Sequence, residues 1–292
     1  MTLSLERLLG LACLMVLSIT GLPGAPWADK PQRIVSMNLC VDQLLMALVE
    51  PARIASISFL SADPNSSALA GQAQRFPLNH GLAEEILPLE PDLVLASTVT
   101  GQPTVGLLRS FGYRVVQLPL AEKLSDVAAQ LTLVAEAVGE VERGRALIGE
   151  FEARLAALQP EMGAARPRAA VYGANGYTYG PGTLVGEVVE AAGFDNLARE
   201  MDLDGITHLP LEVLVAGRPD VLILGVAPHE RPALAGEVLR HPALRRAFPP
   251  ATRLIVPEPL WNCGAPAVAE AAERLAELRR RVVAGGRARI DG

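Results

Sequence analysis

One phrase is written twice in this chain of 292 residues, and that repetition constrains the fold more than any other feature. "GLAEEILPLEPDLVLAS" runs from Gly81 to Ser97, and "HLPLEVLVAGRPDVLILG" from His208 to Gly225. In each, a Glu stands near the start of a short helical stretch, a Pro follows seven residues later, and an apolar run comes after the Asp: Glu84 with Pro91, Glu212 with Pro219. Pro cannot continue a helix and biases the residue before it toward extended backbone. Pro-Asp therefore marks the end of a helix and the start of a strand. Its recurrence 128 residues on implies two halves with the same local grammar.

The surroundings repeat that grammar. "RIVSM" (Arg33 to Met37) and "RIASIS" (Arg53 to Ser58) read as strands on either side of the helix "LCVDQLLMALV", with Asn38 as its N-cap. After the polar loop "SADPNSSALAGQAQRFPLNHG", the first phrase gives a helix at Glu84 to Leu89 and the strand "LVLAS". "TVGLLRSFG" is a helix ended by Gly112, and "YRVVQLP" is a strand. In the second half, "RAAVYGAN" (Arg168 to Asn175) is a strand and "TLVGEVVEAAG" a helix stopped by Gly193. The second phrase gives a helix at Leu211 to Ala216 and the strand "VLILG". "RLIVPEP" is a last strand, and "APAVAEAAERLAELRRRVVAG" a helix that Gly285 stops. Such alternation implies parallel sheets with helices on their faces.

Between the halves, Ser125 to Leu158 carries apolar residues at 127, 131, 134, 138, 147, 151, 155 and 158, which is helical spacing. As one helix, this segment spans about 50 Å, enough to pass from one lobe to another. The alternative is two helices broken between Gly139 and Gly149, since each of the three glycines costs about 1 kcal/mol in a helix. The expected fold class is α/β: two Rossmann-like α/β lobes, residues 29–124 and 159–292, joined by one long α-helix over 125–158, with a ligand cleft between the lobes. Clefts between domains are a favoured place for small ligands.

Residues 1–28 read as a secretory signal peptide, with one Arg, an apolar run from Leu8 to Ile19 and small residues near a cut at 25–28. That run is short for a membrane span, and an uncleaved anchor is the alternative. Gly10 stands where a lipoprotein signal before Cys13 would place Leu. The expected product is exported. Half of the chain is apolar and its net charge is −6, with no clustered basic face, so nucleic acid is not expected as a partner. Cys40 and Cys263 remain after cleavage. Each as a small buried apolar residue, a disulfide, or thiolate ligation of a soft metal are all compatible with the sequence.

"RIVSMNLCVDQLLMALVEPARIASIS", "AEEILPLEPDLVLA", the long central helical segment and "LPLEVLVAGRPDVLILG" together resemble the periplasmic substrate-binding proteins of ABC importers for iron–siderophore complexes, haem and cobalamin. The resemblance covers roughly Pro31 to Val283. It implies location in the periplasm, capture of an intact metal chelate and delivery to an ABC permease with its ATPase. By motif position, it implies that Glu84 and Glu212 dock on basic residues of that permease, one from each lobe. Carboxylates at helix starts are favoured by the helix dipole. A two-point charge match fixes register and speeds encounter. The rigid link further implies little closure on binding.

In such a clamp the ligand meets the loops that follow strands. The candidates are Asn38, Cys40 and Asp42 in "MNLCVD", and Asn79 and His80 in "FPLNHG", with the "SFLSADPNSS" and "STVTGQPT" loops beside them. In the second half they are Tyr177 and Tyr179 in "YGANGYTYGPGT", His229 and Arg231 in "GVAPHERP", and Trp261, Asn262 and Cys263 in "PEPLWNCGAP". Trp261 suits stacking on a large flat ligand. His80 lacks a second nearby metal ligand, so no resident metal or cofactor is expected. Haem-binding relatives carry a Tyr shortly before the first-lobe Glu, where this chain has Pro77, Leu78 and Asn79. Only Arg75 and Arg231 stand in the candidate loops, which disfavours anionic siderophores and leaves neutral chelates or a corrinoid. There is no Gly-x-Ser-x-Gly, His-Glu-x-x-His or Gly-x-x-x-x-Gly-Lys motif, so an enzyme is not expected. A bare-metal receptor would need three or four converging ligands, and the chain has four His in all.

Overall fold

The computed structural model describes residues 30–158, 163–225 and 234–290. The first half alternates β1 (Ile34–Ser36), α1 (Leu39–Leu48), β2 (Ile54–Ser58), α2 (Ala70–Ala73), β3 (Leu78–Asn79), α3 (Ala83–Ile86), β4 (Leu93–Ser97), α4 (Gln102–Ser110) and β5 (Val115–Leu118). Two helices follow, α5 (Leu124–Val138) and α6 (Val141–Ala156). The second half holds β6 (Arg168–Tyr172), β7 (Tyr177–Tyr179), α7 (Leu184–Ala191), β8 (Asp195–Asn196), α8 (Leu197–Glu200), β9 (Ile206–His208), α9 (Leu211–Gly217), β10 (Val221–Leu224), α10 (Pro242–Ala247), β11 (Arg253–Ile255) and α11 (Val268–Ile290).

The strands form two parallel sheets, β3-β2-β1-β4-β5 and β11-β10-β6-β8, with β7 and β9 as a separate antiparallel pair. Both main sheets are apolar on both faces. Ile34, Leu93, Leu95, Ala169, Val171, Val221 and Ile223 face one core that also takes in α1, α5, α6, α7 and α11. Their neighbours point the other way: Val35, Val94 and Ala96 into a core under α4, and Ala170, Tyr172, Leu222 and Leu224 into one under α9 and α10. Strands buried on both faces read as unbroken apolar runs, which is why no polar alternation marks them in the sequence.

The repeated phrase performs the same local task in each half. The helical turn ends on a residue in the left-handed region, Glu90 at φ 44° and Arg218 at φ 46°, followed by Pro-Asp. Asp92 then accepts hydrogen bonds from the backbone N–H groups of Gln32 and Arg33, just before β1. Asp220 accepts one from Arg168 at the start of β6. The Arg at each strand start donates back to the left-handed residue, Arg33 to the Glu90 carbonyl and Arg168 to that of Arg218. Pro-Asp thus fastens each half's first strand to the strand that becomes its neighbour, β1 to β4 and β6 to β10.

The single helix expected over 125–158 is two helices. Gly139 adopts φ +75° and closes α5, its N–H bonding back to the Glu136 carbonyl. α6 then folds back against α5, because Gly144 presents no Cβ where one would collide with the Ala135 side chain. The apolar spacing runs on through this break, since both helices bury their stripes in the same core. α5 packs on α1, while the 16-residue α6 packs on α11. Gly285 does not stop the last helix, which continues to Ile290.

Candidate functional site

In open parallel sheets, ligands gather outside the carboxyl ends of the strands, where the strand order changes direction. In the first sheet that point lies between β1 and β4, and in the second between β6 and β10. Asn38 stands at the end of β1. Its carbonyl-type oxygen accepts from the N–H groups of Cys40 and Val41, capping α1 as expected, and its Nδ2 reaches Thr100 Oγ1 after β4 at 3.3 Å.

The loop after β11 crosses from the second half to the first. Cys263 forms a disulfide with Cys40, in the first turn of α1, with Cα atoms 5.0 Å apart. Asn262 Nδ2 donates to the Ser66 carbonyl at 2.9 Å. Beside this junction opens a cavity of about 460 Å³, lined by Leu120 and Glu122 after β5, by Tyr179 on β7, and by Glu258, Trp261 and Asn262 after β11. Its size lies within the range of small-molecule sites. Burial pushes the Tyr179 hydroxyl above its ordinary pKa, and the Glu258 carboxylate adds to the shift, so this phenol stays protonated and can donate.

Of the expected site residues, Cys40, Tyr179, Trp261, Asn262 and Cys263 meet at this junction, with Asn38 at its edge. Trp261 is only 3% exposed: it borders the cavity but also packs in the shared core, so it is a wall rather than an open stacking platform. Tyr177 points outward from β7, 44% exposed and edge-on to His208. Asp42 and Asn79 are buried and turned into the first lobe. Asp42 accepts from Ser58 N and Ser61 Oγ, while Asn79 Nδ2 donates to the Ser36 carbonyl and Ser56 Oγ. They hold the lobe's loops together and do not line the cavity. His80 stacks on Phe59 and pairs with Glu85 at 2.8 Å, and this bond holds the Glu85 carboxyl below its usual range. Among the described residues no group of three or more His, Cys, Asp or Glu side chains is placed to hold a metal. His229 and Arg231 lie outside the described residues.

Glu122, Glu258 and Leu120 were not among the expected residues. They sit directly after β5 and β11, so the rule that sites collect at carboxyl ends of strands would have found them. Glu84 and Glu212 occupy the first turns of α3 and α9, both exposed and neither in an ion pair among the described residues.

A model of the family described as periplasmic binding protein matches residues 34–253. The cobalamin-binding protein of Halobacterium salinarum is 30% identical over 216 residues, covering 72% of this chain and 58% of that protein. This chain thus spans less than two thirds of the length of the curated relatives it matches. Three solved structures share the fold. They are the periplasmic haem-binding protein HutB of Vibrio cholerae (TM-score 0.71, 19% identity, 85% of this chain and 98% of that one), the periplasmic haem-binding protein RhuT of Roseiflexus sp. RS-1 (0.70, 22%, 86% and 99%), and the periplasmic vitamin B12-binding protein BtuF of Vibrio cholerae (0.62, 17%, 87% and 98%).

Proposed function

Because the chain belongs to the periplasmic binding protein family, we propose that it is the receptor of an ABC importer and that its cargo is a corrinoid of the cobalamin type. The observation that carries the cargo is the 30% identity to a cobalamin-binding protein across 72% of the chain. In this reading residues 1–28 direct export and are cut off near 25–28. The first lobe extends through α5, and α6 alone bridges to the second. The receptor binds and releases its cargo without transforming it.

Titration of the mature protein tests the cargo. With cleavage after Ala28, Trp261 is the single tryptophan of the mature protein, since the other is Trp27. Cyanocobalamin or cobinamide is expected to quench it saturably at micromolar concentration or below, after correction for ligand absorption. Quenching by haemin, a ferric siderophore or free metal ions alone would overturn the corrinoid reading.

Delivery rests on Glu84 and Glu212. Reversing both charges, Glu84→Lys with Glu212→Lys, is expected to abolish uptake in cells while the Kd for the corrinoid stays within about twofold, because docking charges set encounter and register. Undiminished uptake by the double variant would remove these residues from the docking surface.

A further inference from the structure

Arg53 has the Glu140 carboxylate and two carbonyls as partners, and the half-buried Arg154 and Arg168 are paired with Glu273 and Glu200. Arg279 is as deep as Arg53, only 8% exposed, yet among the described residues it donates no hydrogen bond and joins no ion pair. It stands on α11, which packs against α7, and its guanidinium covers the turn after α7. Gly193 in that turn has φ +88°, and a Cβ there would collide with Nη1, Cδ and Cζ of Arg279. A second guanidinium holds the same turn. Arg166 donates to the carbonyls of Glu190 and Phe194, at 3.0 and 2.8 Å, and to Asp195 Oδ1 at 2.9 Å. Arg280, exposed, is the third cation nearby. Burial first, and then the charges of Arg280 and Arg166, hold the pKa of Arg279 below its ordinary value, with no carboxylate acting against them.

A guanidinium stays charged even where it is buried. A buried charge without a counter-charge is costly, and like charges beside it add to the cost. The negative end of the α7 dipole favours cations here, but it faces three of them, and Asp195 is already engaged by Arg166. An oxyanion supplies the missing charge, because the forked N–H donors of Arg match the oxygens of phosphate or sulfate two at a time. We propose that Arg279, with Arg166 and Arg280, forms a binding site for a small free oxyanion of the phosphate or sulfate type at the turn after α7. The depth of Arg279 sets the size of the ligand: an inorganic ion can reach it, whereas a lipid headgroup or a nucleotide is too bulky. α7 begins at the cavity, where Leu184 is part of the wall, and this turn follows its other end. The two sites are therefore separate, and the proposal holds whatever the cargo is. The ion would tie the turn after α7 to α11 and so stabilise the second half.

The test starts from mature protein dialysed free of phosphate and sulfate and unfolded by heat in chloride. Inorganic phosphate or sulfate is then added at constant ionic strength, so that general screening does not change. The midpoint is expected to rise saturably, by about 5 °C at about a hundredfold excess over Kd. Arg279→Met keeps an apolar stem over Gly193 and removes the fork. Whatever its own midpoint, the shift produced by phosphate is expected to vanish. Titration calorimetry with inorganic phosphate reads binding without unfolding. The wild type is expected to take up one ion per chain, and Arg280→Gln, changed at an exposed position, to bind about tenfold more weakly. If Arg279→Met does not fold, Arg280→Gln decides. A phosphate shift as large in Arg279→Met as in the wild type, no saturable binding of either anion by the wild type, or an unchanged Kd in Arg280→Gln would overturn the proposal.

Discussion

Asp42→Asn is expected to stabilise the protein at pH 8 by up to about 4 kcal/mol while changing little at pH 4. Asp42 is wholly buried, and among the described residues no cation is paired with it. Its Oδ2 accepts from Ser58 N at 2.9 Å and Ser61 Oγ at 2.6 Å, and the buried Ser36 hydroxyl acts on the same carboxyl, lowering its pKa in turn. Burial dominates and lifts the pKa from 3.8 to about 7, with the hydrogen bonds pulling it back only in part. A carboxyl whose folded pKa is raised makes the folded state bind more protons than the unfolded one. Its contribution is therefore most favourable below about pH 4 and is lost as pH rises toward 7. A shift of about three units corresponds to about 4 kcal/mol, an upper figure for a single group. Asn keeps an acceptor for Ser58 and Ser61 and puts a donor in the place of Oδ1. Urea denaturation from pH 4.5 to 8 reads the difference between variant and wild type, and a difference independent of pH would refute the account.

Arg53→Ala is expected to cost about 3–5 kcal/mol, the range for breaking a buried, hydrogen-bonded charge. Its guanidinium donates to the Pro31 carbonyl at 2.7 Å and to the Val138 carbonyl at 2.6 Å, and it pairs with Glu140 at 2.5 Å. Val138 is the last residue of α5, so this cation also sits at the negative end of a helix dipole. Val138 and Glu140, on the two sides of the α5–α6 joint, and Pro31, before β1, lose one shared donor at a stroke. Arg53→Lys is expected to recover less than half of the loss, because an ammonium cannot span three acceptors in the fork geometry of Arg. Thermal and urea unfolding measure both variants, and a loss below about 1 kcal/mol for Arg53→Ala would show that solvent replaces these bonds.

The parallel sheets were legible because their strands carry their own signal. Ile34 and Val35, or Leu222 and Ile223, are neighbours that face opposite cores, and only a sheet covered on both sides gives such runs. The Asn38 cap and the repeated Pro-Asp were legible for the same local reason. The α5–α6 turn stood only as the alternative reading, because the apolar spacing keeps helical phase across it. What decides it is the contact of Gly144 with Ala135, which is tertiary. The short β7 and β9 pair was read as loop, since three residues are too few to show a period. In the candidate site, Trp261, Asn262 and Cys263 follow the last strand and Cys40 the first, so their position at strand ends was legible. That Asp42 and Asn79 turn inward was not legible, because α1 is buried nearly all round and Asn79 is drawn to the Ser36 carbonyl and Ser56 hydroxyl, which are tertiary partners. That Cys40 meets Cys263 depends on how the two sheets are assembled, which no local pattern encodes.

That bond also sets an order of events in biosynthesis. Cys40 is made 223 residues before its partner, and nearly both sheets lie between them. At about 5–20 residues per second, the earlier thiol waits on the order of 10–45 s for the later one to be synthesised. The one other cysteine in the chain is Cys13, 27 residues upstream, so premature oxidation has a single wrong product within the molecule. A catalyst of oxidation that acts only after both lobes have folded would yield the native pairing, whereas one acting on the nascent chain would trap the first lobe against the segment around Cys13.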